Sequence, residues 1–516
     1  MEDVPVFLRS FAKALTIVLS VVAVSAPAIA QQSGQGRGGG ASGNSGVLSL
    51  LPPDAVSDHV LNIGDKTIPY TATAGTLDLY GQDGEKTAAI FYTAYVAKDR
   101  SPDRPVTFVF NGGPGAASAF LNLGLVGPRV LDFGPSGRDG AQAKLVDNPD
   151  SWLQFTDLVL IDPIGTGWSR TIKPDDASNF YSVRADADSL AKAIALYVAN
   201  NGRASSPKYI LGESYGGLRS AKVASSLREQ QGILVSGIVM LSPLIEGSLV
   251  FGGDRFALGA ALQLPSLVAA DLERRNAFSE EAVQDAEKFA LGDYLTTLAG
   301  APPTGDAAEA FYGRVSELTG IPVDVVGKGR GFIGNAYVKN SADGGGKVVS
   351  PYDASFIAPD PYPESASDRG DDPILDGFVR AYGGAFASYA HDELGFKTAM
   401  TYTLLSSDVN GHWNWGGRGG GGRSEASGTD DIRQQLALVP SFRLLVAQGY
   451  SDLVIPFGIN RYVLDHLPPE AAGRVELKLY RGGHMFYTRP SSRAAFSDDV
   501  KAFYTSNAAS PPPQSE

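Results

Sequence analysis

Three side chains in this sequence have the types, order and settings of a nucleophile, an orienting acid and a base for acyl transfer: Ser214, Asp452 and His484. Ser214 lies in Gly212-Glu213-Ser214-Tyr215-Gly216, a G-x-S-x-G run between a strand-like segment (Tyr209–Gly212) and a helical one (Leu218–Glu229). Glycines around such a sharp turn lift the hydroxyl above a sheet, and the N–H of the following residue, Tyr215, can stabilise an oxyanion; an ordinary strand-to-helix turn with a capping serine is the plain alternative. A serine hydroxyl is a poor nucleophile near neutrality, so it requires a base and a carboxylate that orients the base. Of the five histidines, His59 precedes the serine, against the order Ser, acid, His of this arrangement. His391 and His412 fall in an irregular region and His466 precedes Leu-Pro-Pro, whereas His484 follows the apolar run Val475–Tyr480 in Gly482-Gly483-His484-Met485. The acid belongs after the preceding strand, where Asp452 closes Gln448-Gly449-Tyr450-Ser451-Asp452; turn capping is its alternative role and Asp465 its rival. A second glycine cluster, Asn111-Gly112-Gly113-Pro114-Gly115, follows Val106–Phe110 and could set a second backbone N–H toward an oxyanion.

These residues need a scaffold, and the hydrophobic pattern supplies one. Short apolar runs at Val106–Phe110, Asp157–Asp162, Tyr209–Gly212, Gly237–Ser242, Phe442–Gln448 and Val475–Tyr480 read as buried strands. Helical spacing over Ser182–Asn200 and Leu218–Glu229 separates some of them, so the fold class is α/β: an α/β-hydrolase fold with a mostly parallel central sheet and helices on both faces. Between His59 and Ala97, β-forming segments around Gly and Asp turns predict antiparallel hairpins at one sheet edge. The strand rhythm lapses between Ile245 and Asp430, which predicts a cap insertion. The expected division is a signal peptide (1–30), a disordered Gly/Ser-rich leader (31–50), core (51–244), insertion (245–430), core (431–506) and a disordered tail (507–516).

Composition narrows the function. With 43 Lys and Arg against 56 Asp and Glu, the net charge of −13 disfavours nucleic acid and anionic membranes. The tract Gly416–Ser424 therefore reads as a flexible loop rather than an RNA-binding segment. The absence of cysteine removes disulfides, thiolate nucleophiles and Cys-type metal sites. No zincin, P-loop or dinucleotide fingerprint occurs in the required setting, so neither metal nor cofactor is expected. Arg9 and Lys13, the apolar run Leu15–Val24 and Ala28-Ile29-Ala30 predict a cleaved signal peptide rather than a retained membrane anchor, hence an exported protein, periplasmic or secreted.

Taken together, FNGGPGAAS (110–118), LVGP (125–128), DLVLIDPIGTGWS (157–169), YILGESYGG (209–217), GYSDLVIPF (449–457) and GGHM (482–485) resemble the serine carboxypeptidases, peptidase family S10, in the family's order and in both halves of the core. The resemblance implies release of C-terminal residues from peptides with a free C-terminus, with Ser214 as nucleophile, His484 as base and then acid, and Asp452 as its orienter. It also implies an oxyanion hole from the N–H groups of Gly113 and Tyr215, and a site for the substrate's carboxylate at Asn111 and Glu213. Glu213 can donate to a carboxylate only when protonated, which predicts a preference for acidic pH. Met485 is expected either to line the leaving-residue pocket or to pack in the core, and Asp162–Ser169 either to shape the site or to brace it. The chain departs from the family at Ala116, where many members carry a disulfide-forming Cys, and at Leu125, where many carry a second acid. Leu125 keeps open an esterase, amidase or acyltransferase of the same fold. A catalytically silent binding protein on a hydrolase scaffold is the alternative of another class.

Overall fold

The computed structural model describes residues 46–509, apart from 99, 100, 102, 135, 136, 254, 342–345, 366–371 and 417–421. The expected signal peptide, most of the expected leader, the residues beyond 509 and the middle of the Gly416–Ser424 tract lie outside the described residues. Val47–Leu50, expected at the end of a disordered leader, form a 3-10 turn with Leu48 buried, because Val47, Leu48 and Leu50 supply apolar side chains that the Gly/Ser-rich stretch before them lacks.

Three antiparallel strands, β1 (Ala55–Ile63), β2 (Lys66–Tyr80) and β3 (Lys86–Ala97), open the sheet, as the hairpin pattern predicts. Six parallel strands follow: β4 (Val106–Phe110), β5 (Asp157–Ile161), β6 (Lys208–Glu213), β7 (Gly237–Leu241), β8 (Arg443–Gly449) and β9 (Val475–Tyr480). Their spatial order is β1-β2-β3-β5-β4-β6-β7-β8-β9, with the two-residue strand Arg170–Thr171 also on β3. Strands β4 to β7 are buried along their whole length, the signature of a parallel sheet covered on both faces. The exchange of β4 and β5, with the strand-to-helix elbow after β6, is the α/β-hydrolase arrangement.

Helices cover both faces: α1 (Val183–Asn200), capped by Ser182 Oγ accepting from Ala185 N–H, and α2 (Tyr215–Ser226) pack against each other. The latter starts three residues before the predicted Leu218, because the turn at Ser214 feeds directly into it.

The insertion contributes α3 (Ala257–Arg274), whose apolar face organises a separate cluster with Val315, Ile321, Tyr337 and Val349. A later stretch is no cap at all. In and around α4 (Ala381–Asp392), Phe378, Tyr382, Phe386 and Tyr389 fill the core on one face of the main sheet with Phe91 and Trp168. Among the other helices, α5 (Phe457–Asp465) follows β8 and α6 (Pro490–Ala509) follows β9.

Candidate active site

Strand register decides which side chains meet. On β4 and β6, Phe110 pairs with Gly212, so the residues that follow, Asn111 and Glu213, stand side by side at the C-terminal ends of adjacent strands. This is where ligands approach open α/β sheets. One residue on, Ser214 has φ 61° and ψ −126°, a conformation that costs on the order of 1–3 kcal/mol for a non-glycine residue and persists only if its surroundings enforce it. They do: its N–H donates to Leu241 C=O at 2.9 Å, and its carbonyl accepts from Gly217 and Leu244 N–H at 2.9 and 3.0 Å. A Cβ on Gly212 would collide with Gly216 O, and one on Gly217 with Pro243, so the turn admits no other residues there. Over Lys208–Ser220 every residue but Ser214 is buried, and its hydroxyl is not spent on capping α2.

Asp452 and His484 extend from β8 and β9, which pair through Gly449 and Tyr480. His484 Nδ1 donates to Asp452 Oδ2 at 2.9 Å, while Oδ1 accepts from Val454 and Ile455 N–H at 2.9 and 3.0 Å. One oxygen of the aspartate thus closes a turn while the other meets the imidazole, so the two roles given as alternatives do not exclude each other. Its rival Asp465 sits exposed at the end of α5. With Nδ1 committed to the carboxylate, Nε2 is left as the acceptor. Burial lowers the His484 pKa, but the charge and hydrogen bond of Asp452, aided by Glu213, outweigh it and hold the pKa above the ordinary value. Ser242 Oγ donates to the His484 carbonyl at 2.9 Å, tying the histidine loop to β7, the strand that also holds Ser214. The other histidines have surface roles: His59 meets Ser57, His391 meets Asp392, His412 meets Asp408 and His466 meets the Tyr462 carbonyl.

The glycine loop after β4 presses on the elbow, since a Cβ on Gly112 would lie 2.7 Å from Tyr215 N and 2.9 Å from Ser214 Cβ. Gly113 is the exposed residue of an otherwise buried run, Asn111–Phe120, and Tyr215 N–H is a first-turn donor of α2 without an intrahelical partner. Asn111 Nδ2 donates to Glu213 Oε2, and Asn111 Oδ1 accepts from Leu121 N–H at 3.1 Å. Glu213 Oε1 is buried without a hydrogen-bond partner. Burial pushes the Glu213 pKa up to about 7, against the smaller opposing pull of His484.

Leu125 is wholly buried in the π-helical turn Asn122–Val126, its carbonyl held by Asn148 Nδ2 at 2.7 Å. Met485 is half-buried and packs on the main core. The Asp162–Ser169 loop braces its surroundings: Asp162 Oδ1 accepts from Ser118 N–H at 2.7 Å, and Ser169 Oγ links the Asp162 carbonyl to Phe91 N–H.

Several neighbours carried no sequence signal. Tyr487 and Tyr382 crowd Gly124; the Tyr487 side chain interacts with the Glu213 carboxyl, and the charge of Glu213 raises the Tyr382 pKa; the former is legible only as the third residue past His484. Tyr352, from the insertion, stands edge-on to the His484 ring. Arg219 and Asp186 form a buried ion pair at 2.6 Å beneath the site, and Arg219 Nη1 donates to the Asn111 carbonyl.

Residues 66–245 match the serine carboxypeptidase family model, a stretch that holds Asn111, Gly113, Glu213, Ser214 and Tyr215 but not Asp452 or His484. The chain is 29% identical over 155 residues to serine carboxypeptidase-like 35 of Arabidopsis thaliana, covering 30% of this chain and 31% of that protein. It is 28% identical over 195 residues to serine carboxypeptidase-like 33 of the same plant, covering 36% and 38%. With the pheromone-processing carboxypeptidase KEX1 of Yarrowia lipolytica it shares 27% over 180 residues, covering 34% and 27%. The chain thus spans about a third of the length of these curated relatives. Among solved structures, a proline iminopeptidase of Mycobacterium smegmatis overlaps 88% of this chain and 100% of its own at 16% identity and a TM-score of 0.39.

Proposed function

We propose that this chain, which belongs to the serine carboxypeptidase family by its match over residues 66–245, hydrolyses the last peptide bond of peptides with a free C-terminus. In this reading Ser214 Oγ attacks the scissile carbonyl as His484 Nε2 takes its proton, and Asp452 steadies the resulting imidazolium. The N–H groups of Gly113 and Tyr215 receive the oxyanion. His484 then protonates the departing amino acid, and a water deprotonated by the same imidazole releases the acyl group from Ser214. Asn111 and Glu213 hold the substrate's terminal carboxylate, and Met485 borders the leaving residue.

The observation that carries the reading is the setting of Glu213: buried, held by Asn111 through one oxygen, without a hydrogen-bond partner at the other, and with its pKa pushed by burial up to about 7. A neutral carboxyl donates to a carboxylate where an ionised one repels it.

The division we favour keeps residues 51–244 and 431–506 as the hydrolase core and 245–430 as its insertion. We read the protein as exported, periplasmic or secreted, from its apolar run Leu15–Val24 and the small-residue pattern at Ala28–Ala30. No helix among the described residues is long and apolar enough to cross a membrane. A second reading, an esterase, amidase or acyltransferase, is favoured by Leu125, which leaves the carboxylate site with one acid.

The deciding experiment incubates the protein and its Ser214→Ala variant with an N-blocked peptide, its C-terminal amide and a simple ester, and follows products by mass spectrometry. Ser214-dependent, stepwise loss of C-terminal residues, much weaker on the amide, is the expected result. Cleavage of the ester alone, or internal cleavage of the amide, would hand the function to the second reading.

A further inference from the structure

One short segment of the insertion touches both loops that carry the acid and the base. Leu453 N–H, beside Asp452, donates to the Pro351 carbonyl at 3.0 Å, and Ala354 N–H donates to the Ser451 carbonyl at 3.0 Å. On the other loop, His484 N–H donates to the Tyr352 carbonyl at 2.5 Å. The fit is close enough that a Cβ on Gly483 would overlap the Tyr352 carbonyl and the Asp353 backbone. The Tyr352 ring meets the imidazole edge-on, centroids 5.3 Å apart and planes at 87°.

What holds this segment in place comes from the core. Arg489, five residues past His484, donates through Nη2 to Asp353 Oδ2 at 2.7 Å and to Ser355 Oγ at 2.5 Å. Its Nη1 pairs with Glu273 of α3, which also pairs with Arg481 at 3.2 Å and accepts from Ser451 Oγ at 3.4 Å. The Arg489 and Asp353 side chains are only 18% and 15% exposed, so this is a shielded pair whose loss strands a charge, unlike an exposed pair worth a fraction of a kcal/mol.

We propose that Pro351–Ser355 is a structural member of the catalytic machinery, and that Arg489 is the positioning residue that clamps this insertion segment across the Asp452 and His484 loops. The proposal rests on the triad reading above. A nucleophile, base and acid displaced by as little as 1 Å lose on the order of 10²-fold in rate, so the clamp acts on turnover rather than on substrate affinity.

The test compares Arg489→Gln, Arg489→Lys and Asp353→Asn with the wild-type protein on the ester and the blocked peptide, with rates expressed per Ser214 titrated to completion by a fluorophosphonate. The expected result is a fall in kcat of about 10- to 100-fold per titrated site with KM within about twofold, and partial recovery in Arg489→Lys. The acid limb of the kcat profile should also move, because the imidazole that it reports faces Asp452, Glu213 and Tyr352, and the segment carries Tyr352 and contacts the Asp452 loop. Should Arg489→Gln not fold, Asp353→Asn, which matches the native side chain in shape and can keep its Ser355 contacts, carries the same comparison. Unchanged kcat per titrated site and an unchanged pH profile would overturn the proposal, whatever happened to the melting temperature. Failure of the triad reading is separable, since Ser214→Ala would then remain active.

Discussion

Asn111 and Glu213 lie one residue beyond the paired Phe110 and Gly212, and the asparagine amide donates to one carboxyl oxygen of the glutamate while the other stays open. A carboxyl in that setting can donate from its second oxygen only while it is protonated.

The pH dependence follows from its sign. Burial raises the Glu213 pKa from 4.5 to about 7, so activity on free-carboxylate peptides should fall as pH rises through about 7, and activity on a neutral ester should not. Glu213→Gln, a permanent donor, should remove this basic limb. A raised carboxyl pKa also means stability that is full below about pH 4.5 and lost progressively up to about 7. Denaturant melts at pH 4.5 and 7.5 should show that loss, up to about 3 kcal/mol, shrinking in Glu213→Gln.

Asp452→Asn should separate folding from chemistry. An asparagine oxygen can still accept from Val454 and Ile455 N–H, but its amide faces His484 with a donor and selects the wrong tautomer. We expect kcat to drop on the order of 10⁴-fold with little change in melting temperature.

Gly112→Ala should be far more damaging than its single methyl implies. The added carbon meets Glu213 O, Tyr215 N and Ser214 Cβ at 2.6–2.9 Å, and all three are fixed. Steady-state kinetics and thermal melts should show kcat reduced about 10²-fold or more, with about 1–3 kcal/mol of stability lost.

Leu125→Glu should not simply restore a second acid. The side chain is wholly buried in the core, so the new carboxyl would be neutral at low pH and costly once ionised. Melting temperatures should fall, and fall further at pH 8 than at pH 5; a variant as stable as wild type at both would show room for the charge.

Asp186→Ala strands the buried Arg219 guanidinium and loosens its hold on the Asn111 carbonyl. Chemical denaturation should report about 3–5 kcal/mol of destabilisation. A loss under 1 kcal/mol would show that the arginine finds other partners.

Local pattern alone carried much of this protein. Runs such as Val106–Phe110 and Gly237–Ser242 read as buried strands because short continuous apolar stretches alternating with amphipathic helices fit a sheet covered on both faces, and the glycines around Ser214 mark a turn that excludes side chains. Chain order and strand ends were enough to single out Asp452 and His484, which the structure joins by a 2.9 Å hydrogen bond. Other features depend on contacts between residues hundreds of positions apart, which no window of sequence encodes. Tyr352 sits in a segment with no motif, yet the way α3 and Arg489 anchor that segment brings its carbonyl to His484. The aromatic residues in and around α4 look like part of a cap but fill the main core, because the face of the sheet carrying Phe91 would otherwise be bare. The sequence determined the sheet, the elbow and the candidates for acyl transfer, since these follow from periodicity and backbone sterics. Only the tertiary structure decided that the Glu213 carboxyl is buried, with its pKa raised, and that Pro351–Ala354 hydrogen-bonds to the loops of Asp452 and His484, since burial and long-range hydrogen bonds exist only once the chain has folded.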